Sequence, residues 1–141
     1  MKPWLRWSLY SSFGVLWLTG CAWLVLHYFF QRTTDFGTGP HPWQPGLLMI
    51  HGVLAAVAVF LFGWIAGSHI GGHWKRGVNR VSGILLIALI ATLALTGLGG
   101  YYLTNESMRI GSAGFHEIAG ILAAVPALLH WFVARRPVPA A

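Results

Sequence analysis

Four long apolar stretches alternate with short polar ones along the chain, at about residues 8–30, 45–70, 78–103 and 112–134. A bilayer core of ~30 Å needs roughly 20 apolar helical residues per crossing, so each stretch is long enough for one span. Together they take up most of the 141 residues. The expected fold is all-α: a four-helix transmembrane bundle forming a single transmembrane domain over residues 1–141, with little chain left outside the spans.

The intervening segments carry the stop and start signals. Residues 31–44 are polar and hold Gly37, Gly39, Pro40 and Pro42, and Pro45 suits the first turn of a helix, where a missing N–H costs little. Gly71-Gly72 are expected to end the second helix before a basic loop with Lys75, Arg76 and Arg80. Residues 105–111 predict a short polar turn, and Arg135-Arg136-Pro137 a positive stop followed by a helix breaker. Lys2 and Arg6 ahead of the first stretch resemble the start of a signal peptide, but the apolar run is too long and predicts a retained span. Leu18-Thr19-Gly20-Cys21 matches a bacterial lipoprotein cleavage box, yet the chain stays apolar for nine residues past the cysteine, so the match is taken as accidental. No internal repeat or low-complexity segment stands out.

Charge orients the spans. With the N-terminus inside, Lys2, Arg6, Lys75, Arg76, Arg80, Arg135 and Arg136 lie in the cytoplasm and only Arg32 and Arg109 outside, a split of 7 to 2 that obeys the positive-inside rule. Both termini are therefore expected on the cytoplasmic side. Trp4, Trp7, Trp43, Trp74 and Trp131 fall near span ends, where aromatic belts form. Composition agrees with a membrane class, being 56% hydrophobic and 9% charged. The net charge of +6 sits in short clusters between apolar runs, which argues against a nucleic-acid partner. The lone Cys21 makes no internal disulfide.

Seven histidines are many for such a chain, because ionisable residues at membrane depth are costly and normally face a bundle interior. His116 and His130 are 14 residues apart on the fourth span, about 40° short of four turns and roughly 21 Å along the axis. His51 and His69 are 18 apart on the second, five full turns and roughly 27 Å. Each helix thus offers one ring near each membrane surface. His51 matches His116 in depth and His69 matches His130, the difference of about 6 Å falling to helix tilt or a kink at Pro126. Facing neutral imidazoles suit axial ligation of haem iron. Structural zinc would want four ligands converging at one depth. Gly52, Gly63, Gly67, Gly83, Gly97, Gly99, Gly100 and Gly120 would let a flat macrocycle approach the backbone, although small residues also serve helix packing in lipid.

The pattern His116-x3-Gly120-x9-His130, with His51 near the outer start of the second span, resembles the four-helix di-haem membrane cytochromes b, such as the anchor subunits of respiratory formate dehydrogenases and hydrogenases. The resemblance implies two b-type haems, with His116 and His130 giving one ligand to each and His51 pairing with His116. Those relatives take the inner ligand from the first helix, whereas residues 1–20 here hold no histidine. His69 then substitutes, with His73 as the alternative after a loop rearrangement. Small cytochrome b-like membrane proteins are also similar, through His51-Gly52-Val53-Leu54, Gly67-Ser68-His69 and Thr96-Gly97-Leu98-Gly99-Gly100-Tyr101-Tyr102. The likeness covers residues 45–134.

His27, beside Tyr28, Phe29 and Phe30, has a depth that competes with His51, but an aromatic-belt role is the plainer one. His41, between two prolines, is expected in solvent. Glu117 is expected to snorkel, and Tyr101, Tyr102, Asn105 and Arg109 to anchor the interface or contact a propionate or quinone. No nucleophile–base pair, phosphate loop or carboxylate dyad is present, and no C-x-x-C-H for c-type attachment. The expected function is electron transfer between a quinone pool and a redox subunit on the periplasmic or cytoplasmic side, in a bacterial inner membrane. A histidine-lined copper or zinc carrier and a non-redox anchor of a complex are the rivals.

Overall fold

The computed structural model describes residues 3–35, 37–76 and 80–134, with the side chains of residues 68–76 and 134 outside that description. The order is α1 (Pro3–Phe29), β1 (Arg32–Thr34), β2 (Gly37–Gly39), α2 (Gln44–Arg76), α3 (Arg80–Tyr102), α4 (Glu106–Leu122) and α5 (Ala124–Ala134). Four helical stretches are long and apolar enough to cross a membrane: Pro3–Phe29, Gln44–Gly67, Arg80–Tyr102 and Glu106–Val133. The chain forms two compact units, Met1–Trp64 and Ile65–Ala141.

Few side chains are shielded. Among the described residues the buried ones are Ala58, Ile65 and Gln44. Large apolar groups lie open along each helix, with Leu95 69% and Val81 73% exposed. In water such surfaces would drive association, whereas lipid would solvate them without that cost.

Several boundaries differ from the sequence expectation. Gly71-Gly72 do not end α2, which continues to Arg76, as the roughly 1 kcal/mol propensity deficit of a glycine is small against a long run of helical bonds. His73 therefore belongs to the helix rather than to a loop. The linker after α1 is ordered as a hairpin, pairing Arg32 with Gly39, Thr33 with Thr38 and Thr34 with Gly37. The tight reversal uses Gly37 at φ 110°, a region that L side chains avoid, and the Thr34 hydroxyl donates to the Gly37 carbonyl at 2.8 Å.

The fourth stretch starts six residues earlier than expected. Asn105 caps α4, its Oδ1 accepting from the Met108 amide at 3.1 Å, and Glu106 in the first turn pairs with Arg109, both favourable at a helix N-terminus. Asn105→Ala is expected to cost about 1 kcal/mol, seen as faster amide exchange at Met108 with later helix turns unchanged.

The same stretch is interrupted at Ala123. Pro126 lacks the N–H that would bond the Leu122 carbonyl, and its ring crowds that carbonyl four residues back. The chain answers with a tighter Ala123 N–H to Gly120 carbonyl bond of 3.3 Å before α5 resumes. In the second unit α3 packs against both α4 and α5. α3 and α4 meet closely at Gly99, and the Ser112 hydroxyl donates to the Thr96 carbonyl at 3.0 Å.

Candidate functional site

In the first unit, His51 leaves α2 one to two turns past its start and lies against α1. Its Nδ1 is 3.1 Å from the Thr19 hydroxyl. The next residue is Gly20, where an added Cβ would stand 3.0 Å from the ring's Cε1, 3.4 Å from Nδ1 and 3.9 Å from Nε2. The glycine lets the imidazole edge rest on the backbone of α1, with Cε1 and Nδ1 nearest that helix.

The second unit holds the same contact twice. His116 on α4 places Nδ1 3.1 Å from the Thr96 hydroxyl and 3.0 Å from the Leu93 carbonyl of α3. A Cβ on Gly97 would meet its Cε1 at 3.2 Å. His130 on α5 places Nδ1 3.0 Å from the Ser82 hydroxyl, and the Cβ position of Gly83 lies 4.0 Å from its Cε1. Each of the three histidines thus rests on a hydroxyl residue followed by glycine on the neighbouring helix. All six of these histidine and hydroxyl residues are half-buried.

Depth explains why the pairs recur. Ser82 and Thr96 are 14 residues apart on α3, and His116 and His130 are 14 apart on α4 and α5, so side-by-side helices bring the second pair together when the first meets. Both rings therefore face α3; the sequence pattern places them on one face of the fourth stretch, but opposite His51 and His69 rather than against α3.

The remaining histidines differ. The side chains of His69 and His73 lie outside the described residues, and with them the expected inner ligand. His27 stacks on Trp23 with ring centroids 4.7 Å apart and planes 11° from parallel, and Tyr28 packs edge-on at 4.8 Å, an aromatic setting. His41 serves the start of α2: its Nδ1 accepts from the Trp43 amide at 3.3 Å and its carbonyl from the Gln44 amide at 3.0 Å.

Gln44 went unnoticed in the sequence. It is 5% exposed, and its Nε2 has no hydrogen-bond partner among the described residues, a costly state for a buried amide. It precedes His51 by seven residues on α2, about 20° short of two turns and roughly 10.5 Å along the axis. It is a buried donor on the same face of α2 as His51.

The glycines named from sequence divide. Gly83 and Gly97 approach histidine rings and Gly99 approaches Ser112, whereas a Cβ at Gly52, Gly63, Gly67, Gly100 or Gly120 would meet nothing within 4 Å. Gly20, which does seat a ring, was legible only as part of Leu18-Thr19-Gly20, a tripeptide that returns as Leu95-Thr96-Gly97. That short repeat, with Ser82-Gly83 as a third variant, was the available signal. Among the described residues no group of three or more His, Cys, Asp or Glu side chains gathers at one point. No family model, curated protein or solved structure matches the chain.

Proposed function

We propose that the chain is a multi-pass protein of the bacterial inner membrane, with both termini cytoplasmic, that holds two b-type haems as an electron-transfer subunit related to the four-helix cytochromes b. One observation carries this reading. His116 and His130 each meet a hydroxyl on α3 through Nδ1, roughly 21 Å apart for 14 helical residues, so that Nε2 of each ring would be the nitrogen to ligate iron. Metal-binding histidines are commonly fixed through the opposite ring nitrogen in this way.

On the pairing read from the sequence, His51 and His116 would ligate the outer haem and His130 the inner one, with His69, or His73 as the alternative. Haem would ask only two axial ligands of the protein, which fits the described histidines, none of them in a group of three or more metal-ligating side chains, better than a zinc or copper carrier needing several donors at one level. The buried Gln44 amide would be available to donate to an acidic group of a cofactor bound near His51. Bound haem supplies one-electron redox chemistry; the polypeptide orients it, excludes water and tunes it. The electron partners are a membrane quinone and a redox subunit at either surface. The lipid-solvated helices and the 7 to 2 distribution of basic residues support the membrane placement.

The test is the reduced-minus-oxidised visible spectrum of the purified full chain with a pyridine haemochrome count. Two b haems per chain are expected. One haem removes the His69–His130 pairing, and none removes the proposal in favour of a metal carrier or a non-redox anchor.

A further inference from the structure

Thr19 and Thr96 are more than neighbours of two histidines, because the fate of each hydroxyl proton can be followed. Thr19 donates its proton to the Leu16 carbonyl at 2.8 Å. Thr96 donates to the Thr92 carbonyl at 2.7 Å, with Leu93 at 3.3 Å. A hydroxyl has one proton and two lone pairs, so in both contacts with histidine the oxygen accepts and Nδ1 donates. For His116 a second group says the same, since the Leu93 carbonyl at 3.0 Å can only accept.

We infer that Thr19 and Thr96 are positioning residues, acting through His51 and His116: each locks its imidazole in the Nδ1–H tautomer, so that Nε2 carries the lone pair presented to an electrophilic metal centre. The inference rests on the ligand roles proposed above but not on haem having been found. The device is duplicated. Leu18-Thr19-Gly20 serves the first unit and Leu95-Thr96-Gly97 the second, with the threonine supplying the acceptor and the glycine removing the Cβ that would hold the ring away. A hydrogen bond to Nδ1–H also strengthens the ring as a donor, so these threonines lower the reduction potential of the group their histidine binds.

The test uses the full chain in detergent or nanodiscs, labelled with 15N-histidine and prepared without haem, and compares wild type, Thr19→Val and Thr19→Ser. Valine keeps the branched shape and removes the acceptor, and serine restores it. Wild type is expected to show His51 with Nδ1 protonated and Nε2 bare. Thr19→Val is expected to shift the population toward Nε2–H, and Thr19→Ser to return it. On titration with hemin, Thr19→Val is expected to bind about tenfold more weakly and at a higher reduction potential, with serine restoring both.

A wild-type His51 protonated at Nε2, or a tautomer unmoved by Thr19→Val, overturns the inference. If hemin does not bind wild type, the haem proposal fails while the nitrogen spectrum still decides the role of Thr19. Should Thr19→Val not assemble, Thr96→Val makes the comparison at His116, with a smaller shift because the Leu93 carbonyl still accepts.

Discussion

His116→Ala is expected to yield a folded chain carrying one b haem instead of two, with the pyridine haemochrome count per chain falling by half. The substitution deletes one of the two proposed axial bonds to the outer iron while leaving α4 intact, since alanine is the best helix former. It also leaves the Thr96 hydroxyl at work on its own helix, where it already donates to the Thr92 carbonyl. Helix content by circular dichroism should therefore hold constant, separating loss of a ligand from loss of fold. His130→Ala is expected to remove the inner haem in the same manner, and the double variant to lack Soret absorption. A full haem complement in His116→Ala would make the histidine a packing residue and end the proposed pairing with His51.

Gly99→Ala is expected to destabilise the chain by about 1–3 kcal/mol, whereas Gly100→Ala stays within about 0.5 kcal/mol. The two glycines are adjacent, yet only the first faces α4. A Cβ on Gly99 would overlap the Ser112 hydroxyl and come within 3.1 Å of the Ser112 Cβ and 3.2 Å of Leu103 Cδ1. Leu103 can swing aside, but Ser112 is held by its bond to the Thr96 carbonyl, so relief costs that bond or a small separation of α3 and α4. A Cβ on Gly100 meets nothing within 4 Å. Unfolding midpoints of the paired variants in mixed micelles check the contrast. Because Thr96 lies in the same contact, Gly99→Ala should also lower haem occupancy at His116, and Gly100→Ala should not.

The helices were legible because their apolar runs have the length that a bilayer demands, a signal independent of detailed packing. Their ends were less so. Gly71-Gly72 looked like a stop because glycine weakens a helix, but the loss is local and α2 absorbs it. The early start of α4 turned on Asn105 finding the Met108 amide, a bond that polarity alone reads as a turn. The hairpin after α1 was hidden because its strands are three residues each, too short to show an alternating pattern.

At the site, the shared face of His116 and His130 followed from periodicity, and both do turn toward α3. The hydroxyl partners escaped notice since threonine and serine are common in apolar helices and bond their own backbone. Only the neighbouring helix shows that Thr19, Ser82 and Thr96 have a second contact. Gln44 escaped for a related reason: a polar residue at the mouth of a helix reads as solvated, and burial is a property of its surroundings.

The interruption at Ala123 has a bearing on how the two levels are spaced. α3 is one unbroken rod that sets Ser82 and Thr96 at a fixed pitch and azimuth, whereas the strand of chain opposite is jointed between His116 and His130. A rigid partner would accumulate every small mismatch in supercoil over four turns and could satisfy one hydroxyl only at the expense of the other. A jointed partner lets each imidazole dock separately, so α3 acts as the ruler for both levels and the proline three residues past the joint is what allows the chain to be measured against it.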